Sequence, residues 1–112
     1  MSISYNGIGH FSVTFPENDC AEGAVCKLSN DGEAVSCSAG DKLFGVVKFV
    51  DGGKACVLIE GFVTVSYSGT APNCGWCNLS ADGNGGVKTD SAGKEYLVAE
   101  VDTAAKTCVI KL

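Results

Sequence analysis

The sequence predicts an all-β fold: a small antiparallel β-barrel or sandwich of about eight to ten short strands, with essentially no helix. Three observations carry this. Fifteen glycines stand against two prolines in 112 residues, and with many Val, Thr and Ser this is a strand-and-turn composition. No window of eleven or more residues holds a clean i, i+3, i+4, i+7 apolar face free of glycine. Short apolar runs recur along the chain, separated by Asp and Gly, as in small barrels and sandwiches.

In chain order, Met1–Gly9 contains Asn6-Gly7-Ile8-Gly9 and is expected to be a loosely held, flexible arm. His10 to Phe15 alternates, with Phe11, Val13 and Phe15 facing one way and Ser12 and Thr14 the other, and Pro16 is expected to end this first strand. Glu17 to Gly23 reads as an acidic turn region. Ala24-Val25-Cys26-Lys27-Leu28 and Glu33-Ala34-Val35-Ser36-Cys37 then flank Asn30-Asp31-Gly32, a strong short-range hairpin signal.

The densest apolar stretch, Gly40 to Tyr67, is the expected core. Its arms, Lys42 to Val50 and Lys54 to Glu60, flank Asp51-Gly52-Gly53, where glycine supplies the positive φ of a tight reversal. Val57-Leu58-Ile59 is apolar on both faces, as a strand covered from both sides would be. After Gly61 the hairpin runs on into a third strand, with Val63, Val65 and Tyr67 on one face and Thr64, Ser66 and Ser68 on the other. Beyond Tyr67 the chain loosens through Pro72, passes Cys74 to Leu79, and enters Ala81-Asp82-Gly83-Asn84-Gly85-Gly86, expected to be an exposed loop. A closing hairpin joins Glu95–Val101 to Lys106–Leu112, with Cys108, Ile110 and Leu112 alternating with Thr107, Val109 and Lys111.

One domain over residues 1–112 suits this length. The net charge of −5 and eight scattered basic residues argue against nucleic acid as a partner, because affinity there comes from Lys and Arg displacing counterions. No apolar run approaches the roughly 18 to 20 residues that span a bilayer, and Met1–Tyr5 has no export-signal pattern, so neither membrane nor secretion is expected. Seven cysteines are many for this length. Their odd number, irregular spacing and placement at Cys26, Cys37, Cys56 and Cys108 inside apolar strands suggest reduced packing thiols in place of a disulfide framework.

The sharpest chemical motif is Cys74-Gly75-Trp76-Cys77. Such a pair can supply half of a tetrahedral zinc site, or a redox dithiol where a helix N-terminus activates the first thiol. No helical pattern follows Cys77 and no second ligand pair occurs, so Cys74 and Cys77 stand as weak metal candidates beside the reading of incidental thiols. His10, the only histidine, lacks a catalytic constellation and reads as a strand-end side chain. Asp82, Asp90, Glu95, Glu100 and Asp102 could in principle include a glycosidase-like acid pair, but nothing in the sequence brings two of them to one cleft, and dispersed strand-edge and turn acids that keep the domain soluble are the preferred reading. Ala81 to Gly85 resembles a calcium loop but lacks the bidentate glutamate. Phe62, Tyr67 and Trp76 are either core or contacts to a partner subunit, where aromatics are enriched. No cofactor and no enzymatic activity are expected.

The order of segments Gly40-Asp41-Lys42-Leu43-Phe44-Gly45-Val46-Val47, Ala55–Val65, the turns at Gly75 and Asp82-Gly83, Tyr96-Leu97-Val98 and the terminal Val109-Ile110-Lys111-Leu112 resembles the small β-barrel capsid decoration or head-fibre-base proteins of tailed bacteriophages. The resemblance covers roughly Asp31 to Leu112. It implies a β-rich, often trimeric virion protein that binds the outside of a capsid and stabilises it, assembled in the bacterial cytoplasm, with itself and the capsid protein as partners. The cysteine load and Cys74-Gly75-Trp76-Cys77 lie outside the pattern. Readings from other classes are a thiol-redox or zinc module at Cys74 and Cys77, and a small ligand- or carbohydrate-binding barrel using Trp76.

Overall fold

The central hairpin of the first sheet springs from Asp51-Gly52-Gly53-Lys54. Gly52 and Gly53 both take positive φ (57° and 79°), the geometry of a two-residue reversal whose twist matches that of its flanking strands, and Asp51 pairs with Lys54 across it. The computed structural model describes residues 10–112, so the arm expected over Met1–Gly9 lies outside the described residues. Ten strands and no helix occur among those described: β1 (Phe11–Asn18), β2 (Val25–Leu28), β3 (Ala34–Ser36), β4 (Gly45–Asp51), β5 (Lys54–Glu60), β6 (Phe62–Ser66), β7 (Gly75–Ala81), β8 (Val87–Thr89), β9 (Lys94–Asp102) and β10 (Thr107–Lys111).

The fold is all-β, built as two five-stranded sheets. The first closes into a barrel in the order β1-β3-β2-β4-β5; the second runs β6-β10-β9-β7-β8. Cys26, Ala34, Val47, Ala55 and Val57 fill the barrel, with Phe15 and Phe44 meeting edge to face at 5.3 Å. A larger core includes Val65, Leu79, Val87, Tyr96, Val98 and Ile110 from the second sheet, with Val25, Leu43 and Val46 from the barrel's outer wall. The period of two explains the division of labour. Val25 and Val46 face the second sheet, while their neighbours Cys26 and Val47 face the barrel interior.

Several boundaries differ from those expected. Pro16 does not end β1, which continues to Asn18. The Glu17 N–H donates to the Gly53 carbonyl, so the nitrogen of Pro16 points to the opposite edge, where pairing with β3 starts only at Glu17 and no donor is needed. Phe11 does not share the inner face of Val13 and Phe15. A register shift between Phe11 and Ser12 turns it outward, and it is 55 % exposed. The stretch from Gly75 to Ala81 is a strand, and the Gly-rich run that follows is only the turn into β8. The third strand of the central stretch leaves the barrel at Gly61 and starts the second sheet.

The two sheets repeat one plan. In the first half β1 pairs antiparallel with β5 and parallel with β3, β2 pairs with β3 and β4, and β4 pairs with β5. In the second half β6 pairs antiparallel with β10, and Tyr67, just past β6, makes a parallel bridge to Val87 of β8. There too β7 pairs with β8 and β9, and β9 with β10. The correspondence reaches single residues. Lys48 in β4 and Ala99 in β9 are each skipped by the ladder, at equivalent places. Glu17 N–H donates to Gly53 O as Tyr67 N–H donates to Lys106 O, and both acceptor residues hold positive φ. The sequence carries the echo: Cys26-Lys27-Leu28-Ser29-Asn30-Asp31-Gly32 against Cys77-Asn78-Leu79-Ser80-Ala81-Asp82-Gly83, Ser38-Ala39-Gly40 against Ser91-Ala92-Gly93, and Val50-Asp51 against Val101-Asp102.

Candidate protein-binding face

Trp76 lies on the solvent side of β7, since its neighbour Cys77 is turned to the core, and it is 68 % exposed. Directly opposite on β9 is half-buried Leu97. The register then carries the row to Lys111 on β10 and Phe62 on β6. Asn78 and Glu95 face each other one step along, with the Asn78 amide donating to the Gly93 carbonyl at 2.9 Å. The row is bounded by two aromatics, Trp76 and Phe62, with Leu97 and Lys111 between them, a mixture of aromatic and polar side chains of the kind found in protein contact patches. Of the three aromatics singled out as partner contacts, Trp76 stands clear in this face. Phe62 is half-buried at its end, and Tyr67 is only 6 % exposed and belongs to the core. Phe49 (53 % exposed) and Leu28 (47 %) are further exposed apolar side chains that the sequence pattern did not single out.

Cys74 lies just before β7 and Cys77 within it. The chain between them enters an extended strand with no helix after it, and their thiols point to different carbonyls, Cys74 to Ala99 and Cys77 to Asn78. Among the described residues no group of three or more His, Cys, Asp or Glu side chains is placed to hold a metal. All seven cysteines are free thiols. Burial first, and then the neighbouring thiols of Cys20 and Cys37, push Cys26 up to about 12; burial, then Cys77, takes Cys108 to about 11. Such thiols stay protonated at neutral pH and behave as small apolar side chains.

The candidate acids are mostly engaged as turn fasteners. The Asp82 carboxylate accepts from Ser68 Oγ at 2.6 Å and from the Asn84 and Gly86 N–H groups at 2.7 and 3.0 Å. Partial burial would raise its pKa, but these bonds outweigh it and hold the group below the usual carboxylate range. Asp90 accepts from Ala92 N–H and Ser80 Oγ, and Asp102 from Ala104 and Ala105 N–H. The loop that resembled a calcium site is therefore an Asp-centred turn held by its own backbone. Glu95 and Glu100 lie on the face and at the bulged edge of β9. His10 reaches through Nε2 to the Phe62 carbonyl at 2.8 Å, a backbone tether between β1 and β6. An open cleft of about 420 Å³ lies between the halves, lined mainly by small residues and backbone at Gly23, Ala24, Gly83 and Gly85, with Glu22 and Asn84 at its mouth.

No protein-family model matches the chain, and no curated protein or solved structure is similar to it.

Proposed function

We propose that the protein is a structural component of a phage or prophage virion, decorating and stabilising a capsid through protein–protein contacts. The observation that carries this is the combination of a sheet face that exposes Trp76 beside Leu97 with acids such as Asp82 and Asp90 engaged in turns and thiols such as Cys26 and Cys108 packed in cores. A molecule built in this way contributes surface. Bridging neighbouring capsomers adds binding free energy to the assembled shell alone and so favours that state by mass action. The working form is a homo-oligomer, a trimer in keeping with the resemblance of the sequence, assembled in the bacterial cytoplasm and carried in the virion.

The test is proteomic and physical. Virions induced from a strain that encodes the protein should contain it in stoichiometric ratio to the capsid protein, and shells stripped of it should melt at lower temperature and recover on re-addition. Virions that lack it, or shells indifferent to it, would refute the reading. The exposed ring of Trp76 also suits stacking on a sugar ring, so glycan binding is the second reading. Titration with an oligosaccharide panel would quench Trp76 fluorescence under that reading and leave it unchanged under the first.

A further inference from the structure

The repeat lets one half of the molecule report on the other. Val25 pairs with Val46 on the outer wall of the first barrel, two positions before the bulge at Lys48. Trp76 pairs with Leu97 at the same place in the second half, two positions before the bulge at Ala99. The two pairs have opposite fates. Val25 and Val46 are 1 % and 3 % exposed because the second half covers them, whereas Trp76 is 68 % exposed.

The receiving surface is equally well defined. It combines the interior of the second sheet around Leu79 and Tyr96 with the end of β7 and the β7–β8 turn, where Val25 N–H donates to Gly85 O at 3.0 Å, Gly40 N–H to Ala81 O at 2.9 Å, and Ala81 N–H to Asp41 O at 2.9 Å. Ala81 is the last residue of β7, pairs with Val87 and is fully buried. By place in the ladder its counterpart is Leu28, the last residue of β2, which pairs with Ala34 as Ala81 pairs with Val87 and is 47 % exposed; the longer β7 sets this ladder two residues out of step with the sequence echo. The counterpart of the β7–β8 turn, which holds Gly83 and Gly85, is the β2–β3 turn with Gly32, and all three glycines take positive φ. The contact between halves therefore joins two different surfaces, and the molecule leaves exposed a counterpart of one at Trp76 and of the strand-end part of the other at Leu28. A contact between unlike surfaces propagates, closing into a ring or continuing as a filament.

We propose that copies of this chain associate head to tail, the Trp76–Leu97 face of one copy docking on the Leu28 end of the first barrel of the next. The inference deepens the proposed structural role and takes from it only the biological setting, because the contact is internal to copies of this one chain. The linkage through Gly61 favours the intramolecular contact, so the contact between copies depends on concentration.

Sedimentation velocity of the full chain, from about 1 to several hundred μM, should show mass above the monomer rising with concentration. Trp76→Ser and Leu28→Ser should each shift that rise to concentrations at least about 30-fold higher, as expected for loss of a buried anchor, with circular dichroism and melting curves like those of the parent. Each variant keeps one surface intact, so mixing the two should restore association and stop it at a heterodimer. A parent chain that stays monomeric, association indifferent to both substitutions, or a mixture that remains monomeric would each overturn the proposal. No capsid is present in the assay, so these outcomes leave the virion reading to its own test.

Discussion

At the scale of single residues, the polar and sulfur-bearing side chains work for the fold. Cys26 and Cys108 are 0 % and 1 % exposed, while Cys74 is exposed. A thiol reagent under native conditions should label Cys74 fastest, Cys74→Ser should abolish that fast phase, and Cys26 and Cys108 should react only on unfolding. Because their folded pKa values are raised, the contribution of these protonated thiols is complete below the free thiol value near 8.5 and is lost as pH climbs towards 11 to 12. Stability should therefore fall on the alkaline side, less steeply in Cys26→Ala at the same relative scale. Asp82 acts with the opposite sign. Its folded pKa is depressed, so its stabilisation is full above about 3.9 and disappears as pH drops through the folded value. Asp82→Ala should cost about 2 kcal/mol at pH 7 in urea unfolding, from the loss of charge-assisted hydrogen bonds, and the gap to the parent should narrow at low pH.

At the scale of strands and turns, one pair of equivalent positions explains why the halves close differently. Gly45 pairs with Cys26, and Tyr96 pairs with Cys77. A Cβ at Gly45 would lie 2.5 Å from Val57 Cγ1 and 2.6 Å from the Leu58 carbonyl, so the barrel shuts tightly only because that side chain is missing. Tyr96 instead fills the interior of the second sheet and sends its hydroxyl across to the Leu43 carbonyl at 3.1 Å. Gly45→Ala should destabilise by about 2 to 4 kcal/mol, an overpacking penalty with backbone on one side, read as a lower urea midpoint with an unchanged slope. Much of this scale was legible in the sequence. Asp51-Gly52-Gly53 announced its reversal, and alternation at Val63, Val65 and Tyr67 announced the inner face of β6. Strand β7 was not, because glycine before Trp76 and the cysteine spacing masked the alternation of a strand that pairs with the next two, β8 and β9. Nor could alternation reveal that a register shift turns Phe11 outward.

For the whole molecule, the shared core decides how it comes apart. Val25, Leu43 and Val46 of the first half pack among Tyr67, Leu79 and Tyr96 of the second, so neither half keeps its apolar surface covered without the other. Unfolding should be one transition. Fluorescence of Trp76 and exposure of the Cys26 thiol, which report on opposite halves, should follow the same urea curve, and separate midpoints would show that the halves melt independently. The candidate face was half legible. Trp76 stood out by residue type, but Leu28 did not, because its significance lies in a repeat blurred by the longer β7 strand and unequal turns. The barrel is closed by paired strands all round, but among the described residues the second sheet is joined edge to edge only where Tyr67 meets Val87 and Ser68 N–H reaches Val87 O. That join is where solvent deuterons should enter the native protein soonest, with the amide of Ser68 exchanging ahead of those along β4 and β5.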